Sequence, residues 1–82
     1  MAACVSAPVQ EMSDARQAIR AAELAGAEQH ALEHLQKARR LLEQAQSRLE
    51  NGSYLEARSY ALEARDKAIR AQEKASAKEE LP

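Results

Sequence analysis

Two histidines, one cysteine and a broad supply of carboxylates are the side chains of this sequence that could do chemistry. His30 and His34 stand four residues apart, so on a continuous helix both imidazoles reach one metal ion. Glu33 falls on a different face of such a helix, and no further His or Cys supplies a third and fourth ligand at a sensible spacing. The pair is the one metal candidate, its ordinary alternative is a solvated helix start, and no cofactor is expected. Cys4 is the only cysteine, which excludes an internal disulfide and leaves its thiol free. It has no fixed base beside it, and the serines have no oriented histidine. Gly26 and Gly52 are the only glycines, so a phosphate-cradling loop is missing as well. The carboxylates sit on charged helix faces where burial does not tune them. These residue types predict a protein that is not an enzyme.

The elements that carry these residues must be small. With 82 residues there is room for one domain, and 45% apolar content overstates its core because only 2% of the chain is aromatic and much of the rest is Ala. A core of Leu, Ile, Met and Ala barely offsets the entropy of ordering so short a chain, so self-association as a homo-oligomer is expected. The 12 basic and 13 acidic residues leave a net charge of -1. A nucleic-acid partner needs a basic excess and stacking aromatics, which are both missing, so that class is excluded. No apolar run approaches the roughly 18 residues that span a bilayer.

Residues 1–8 are small and without helical period, which predicts a flexible tether containing Cys4. From Val9 the residues Met12, Ala15, Ile19 and Ala22 recur at intervals of three and four, the seam of an amphipathic helix. A second seam, Ala31, Leu35, Ala38, Leu42, Ala45 and Leu49, begins nine residues after Ala22. At roughly 100° per residue the two seams lie half a turn out of phase, so an unbroken helix points them in opposite directions. A break near Gly26 lets both face one core. Asn51-Gly52-Ser53-Tyr54-Leu55-Glu56 then closes one helix and opens the next: Gly52 takes the left-handed conformation, while Ser53 and Glu56 form a capping box. The last helix, about Tyr54 to Ser76, carries a stripe of Ala57, Ala61, Ala64, Ala68, Ala71 and Ala75 beside Leu55, Leu62 and Ile69.

The fold class expected is therefore all-α, an antiparallel up-down-up three-helix bundle over residues 9–77, followed by a disordered tail at 78–82. The alternative is a long two-helix hairpin turning at Gly52. The expected core seam includes Ile19, Leu35, Leu42, Leu49, Leu62 and Ile69. Glu33 with Lys37, Arg39 with Glu43, Glu63 with Lys67 and Asp66 with Arg70 are expected to pair at i,i+4 on the exposed faces. Arg58 and Arg65 flank the Ala stripe with snorkelling stems or face an acidic partner.

Asp14-Ala15-Arg16-Gln17-Ala18, Ala22-Glu23-Leu24-Ala25-Gly26-Ala27, Ala38-Arg39-Arg40-Leu41-Leu42-Glu43-Gln44-Ala45 and Gly52-Ser53-Tyr54-Leu55-Glu56-Ala57-Arg58 together resemble an uncharacterised family of short Ala-rich helical domains in bacterial envelope lipoproteins, domain of unknown function 4398. The likeness runs from about Met12 to Ala75, and the Gly-x-Tyr-x-x-Ala-Arg turn is its most distinctive part. No activity is assigned to that family. The resemblance implies lipidation at Cys4, which follows Ala2 and Ala3 as in the end of a bacterial lipoprotein signal. Val5 after it is compatible with sorting to the outer membrane. It further implies a periplasmic, membrane-tethered helical spacer or protein-interaction module whose protein partner is unknown. A soluble cytoplasmic adaptor binding a partner helix against the Ala-rich seam is the competing expectation. The same turn also looks like half of a tetratricopeptide unit, but no second copy follows at a period of about 34 residues.

Overall fold

The computed structural model describes residues 6–79. They form four helices in the order α1 (Val9–Leu24), α2 (Ala27–His30), α3 (Leu32–Glu50) and α4 (Tyr54–Glu79), with no strand among the described residues. The protein is all-α, as the helical spacing of its apolar residues requires.

Pro8 precedes α1, where its lack of an N–H costs nothing, and the N–H of Met12 donates to the Pro8 carbonyl at 3.0 Å. Pro8 is itself buried, so the segment expected to be a free tether up to residue 8 is part of the packed domain at its last residue. All four members of the first seam, Met12, Ala15, Ile19 and Ala22, are buried.

Gly26 ends α1 with φ +89°, and its N–H donates to the Glu23 carbonyl at 3.1 Å. Its own carbonyl accepts from the N–H groups of Gln29 and His30, both at 3.1 Å, so the residue that closes α1 also opens α2. A second interruption follows at Ala31, with φ -152° and ψ 44°. The long unbroken hairpin is thereby ruled out, and the expected single break is corrected to two breaks enclosing a one-turn helix. The physical reason is the half-turn phase difference between the seams. The α2 turn takes it up while burying Ala27 and Ala31 against the same core.

The turn at Gly52 closes in the Schellman manner. The Gly52 N–H donates to the Leu49 carbonyl at 3.0 Å and the Ser53 N–H to the Arg48 carbonyl at 2.8 Å, with Gly52 at φ +79°. The Ser53 carbonyl then accepts from Ala57 at 2.9 Å, which starts α4 immediately. At its other end α4 continues to Glu79 rather than stopping near Ser76, because Ala77, Lys78 and Glu79 are good helix formers and no Gly or Pro intervenes. Lys78 and Glu79 of the expected disordered tail are therefore helical, and residues 80–82 lie outside the described residues.

The core is built in layers. Met12, Ala45 and Ala61 meet in one; Ala15, Leu41 and Ala64 in the next; Ile19, Ala22, Leu35, Ala38, Ala68 and Ala71 in the third, joined by Ala27, Ala31 and Ala75. Residue numbers rise through these layers on α1 and α4 and fall on α3, so α3 runs against the other two. The α4 helix packs extensively on both α3 and α1, whereas α1 and α3 touch each other little. Its stripe Ala57, Ala61, Ala64, Ala68, Ala71 and Ala75 is fully buried along its whole length. Among the described residues, twelve of the sixteen buried apolar residues other than Pro8 are Ala, which lets the backbones approach closely and leaves Leu35 as the only Leu there with no exposed surface.

Four expected core residues need revision. Leu62 is 43% exposed, because it lies about 100° around α4 from the buried Ala61, on the side away from α1 and α3. Leu42, Leu49 and Ile69 are half-buried. Leu42 packs against the edge of all three layers and Leu49 against the first. Leu41, absent from the expected seam, is buried in the middle layer.

Candidate functional site

The outside of the bundle is where the chemically able side chains lie, since no polar or charged residue is buried among the described residues. Several of them join helices. Arg39 on α3 donates to Glu23 Oε2 at 2.7 Å and to Glu28 Oε1 at 3.1 Å, spanning the end of α1 and the α2 turn. Those hydrogen bonds, to Glu23 first and Glu28 second, hold its guanidinium pKa above the ordinary value. Arg58 Nε stands 3.3 Å from Glu11 Oε2, tying α4 to α1, and Arg48 Nε stands 3.5 Å from Glu56 Oε1 across the Gly52 turn. Arg16 donates to Gln46 Oε1 at 3.1 Å between α1 and α3.

Of the four expected i,i+4 pairs, Asp66 with Arg70 forms at 3.6 Å. Arg39 turns from Glu43 to its two distant partners, and Lys37 and Lys67 make no ion pair with Glu33 or Glu63. Arg58 faces an acidic partner within its own chain, Glu11, and Arg65 is exposed. No local spacing announces Arg39–Glu23 or Arg58–Glu11. Their partners lie 16 and 47 positions apart, so only the placement of helices beside one another creates them.

The structure corrects the reasoning behind the metal pair His30 and His34. His30 closes α2 and His34 lies in the first turn of α3, with the break at Ala31 between them, so the continuous helix that would align their rings does not exist. Among the described residues no group of three or more His, Cys, Asp or Glu side chains is placed to hold a metal ion. Gly52, Ser53 and Glu56 line, with Tyr54 and Leu55, a shallow depression of about 370 Å³ at the turn, but the expected capping box is corrected: the Ser53 N–H that Glu56 would accept from donates to the Arg48 carbonyl, and Glu56 Oε1 faces Arg48 Nε instead. Tyr60 is half-buried against the first two core layers. Cys4 lies outside the described residues.

Two further depressions follow α3. One, of about 300 Å³, is lined by Glu33, His34, Gln36, Lys37, Arg40 and, from α4, Lys67. Another, of about 350 Å³, shares Arg40 and is completed by Glu43, Gln44 and Ser47. Both are lined by polar or charged residues and open to solvent.

A family model described as "Domain of unknown function (DUF4398)" matches residues 10–80, nearly the whole chain. The chain belongs to this family. No curated protein and no solved structure matches it. The match takes in all but the first residue of the helical part of this DUF4398 domain, from the first turn of α1 to the end of α4. No helix of the domain is long and apolar enough to cross a membrane among the described residues.

Proposed function

We propose that this DUF4398 chain is a non-enzymatic periplasmic lipoprotein domain, held at the outer membrane through an acylated Cys4 and serving as a helical spacer or protein-interaction module. The observation that favours the non-enzymatic part is that no polar or charged residue is buried among the described residues. A group that must act as acid, base or nucleophile near neutral pH is ordinarily shifted by burial or by a facing charge. The pKa of Arg39 is raised by a pair of structural carboxylates rather than by a catalytic arrangement. A narrow rod of three long helices, locked across its surface by Arg39, Arg58 and Arg48, suits a part that sets distance and presents faces. The sequence Ala2-Ala3-Cys4 supports the anchor.

The competing reading, a soluble adaptor gripping a partner helix on the Ala-rich seam, loses its binding mode. That seam on α4 is filled by α1 and α3. On α4 a partner helix has the outer face instead, where Leu55, Leu62 and Ile69 follow one another at intervals of seven, with Leu55 65% exposed.

Mass spectrometry of the natively expressed protein, paired with membrane fractionation, tests the anchor. Acyl chains on Cys4 are expected, with Cys4→Ser releasing the protein from the membrane fraction. An unmodified Cys4 in a protein that stays out of the membrane fraction removes the lipoprotein reading.

A further inference from the structure

We propose that the depression between α3 and α4 lined by Lys37, Arg40 and Lys67 is a binding site for a phosphate group. The rest of its wall is Gln36, His34 and a single carboxylate, Glu33, so the lining holds two more positive than negative charges in a chain whose net charge is -1. That excess matches the roughly -1.5 to -2 charge of a phosphate monoester near neutral pH and exceeds what one carboxylate would balance. The cations are also uncommitted. Arg39, Arg48, Arg58 and Arg70 are each held within 3.6 Å of a carboxylate, whereas among the described residues Lys37, Arg40 and Lys67 make no such pair.

The chemistry of the wall suits the ligand. Arg40 offers a planar fork to two phosphate oxygens, and Lys37 and Lys67 add point charges from α3 and α4. Gln36 adds an amide donor. The His34 ring forms part of the wall, while its Nδ1 is shielded from solvent and is not among the groups offered to the ligand. A volume of about 300 Å³ sits at the small end of ligand sites and fits one phosphate group with room for what it is attached to. An extended polyanion is disfavoured, because Glu33 bounds this depression and Glu43 lines the adjoining one, in a chain without a basic excess. The inference does not depend on the anchor at Cys4.

The phosphate has two sources to separate, free phosphate and the headgroup of an anionic phospholipid. The Cys4→Ser chain, which carries no lipid of its own, is titrated with inorganic phosphate at ionic strength held constant with chloride, and followed by ¹H–¹⁵N NMR. Saturable shifts are expected at His34, Lys37, Arg40 and Lys67. In Lys37→Gln/Lys67→Gln the affinity should fall by about tenfold or more with unchanged melting temperature. Cosedimentation with vesicles containing phosphatidic acid, the phospholipid whose headgroup is a phosphate monoester, but not with phosphatidylcholine vesicles, that is lost in the double variant assigns the lipid source. Saturable phosphate binding without cosedimentation assigns the free one. Shifts that fail to saturate, that chloride reproduces, or that persist in the double variant overturn the site, and so does vesicle retention that the double variant keeps.

Discussion

Arg39, midway along α3, donates to Glu23 at the close of α1 across 2.7 Å, and the same guanidinium reaches Glu28 in α2 across 3.1 Å. One side chain thus straddles Gly26, where the chain changes direction. Replacing it with Leu should lower stability by about 0.5–1 kcal/mol, since both partners are well exposed and water screens such pairs. Urea unfolding measures the loss. Amide exchange should accelerate selectively between Gly26 and Ala31, and uniform exchange across the domain would show that the link holds nothing in place.

The pH dependence of that link has a defined sign. Hydrogen bonds to two carboxylates raise the folded-state pKa of Arg39, so its contribution is fully present below the unfolded guanidinium value. It is lost only as pH climbs through the raised value. The stability difference between the native chain and Arg39→Leu should therefore stay constant when urea melts are run from neutral pH into mild alkali. A difference that shrinks across that range contradicts the assignment.

Gly52 tests backbone strain free of steric conflict. A Cβ built there meets nothing within 4 Å, yet φ is +79°. Gly52→Ala should cost about 1–2 kcal/mol for holding an L-residue in the left-handed region, and Gly52→Asn should cost less. Equal urea midpoints for Gly52→Ala and the native chain would mean that the turn relaxes by another route.

Two leucines with similar helical spacing should behave in opposite ways. Leu35 has no exposed surface and Leu62 is 43% exposed. Leu35→Ala should cost roughly 2–5 kcal/mol, enough to unfold a domain this small, while Leu62→Ala should fall within about 0.5 kcal/mol of the native chain. Thermal melts followed by circular dichroism separate the two. A large loss at Leu62 would place that residue in an interface between copies of the chain.

Overpacking probes the α4 stripe. Ala64→Leu adds three carbons where α1 and α3 close on α4 around Ala15 and Leu41. It should destabilise by about 1–3 kcal/mol, read as a lower urea midpoint. If it is tolerated, the helices are able to part at the middle layer.

Much of the helical framework could be read from residues that act locally. Met12, Ala15, Ile19 and Ala22 are the buried face of α1, as their spacing demands, and the six alanines of α4 are its buried face. Gly26 and Gly52 both have positive φ where the chain turns. The depression at Lys37, Arg40 and Lys67 was hidden because it draws on two helices 30 positions apart, and the His30–His34 spacing misled because it assumed a helix that Ala31 interrupts.

The sequence by itself determined the all-helical class, the seams of α1 and α4 and the two glycine turns, because the 3.6-residue period and the freedom of glycine at positive φ belong to single residues and their near neighbours. Only the tertiary structure decided that α2 is a separate turn, that Leu62 faces outward while Leu41 faces inward, and that Arg39 chooses Glu23 and Glu28 over Glu43. Those outcomes depend on how closely α1 and α3 settle onto the alanine face of α4, a distance and rotation that no spacing within one helix encodes.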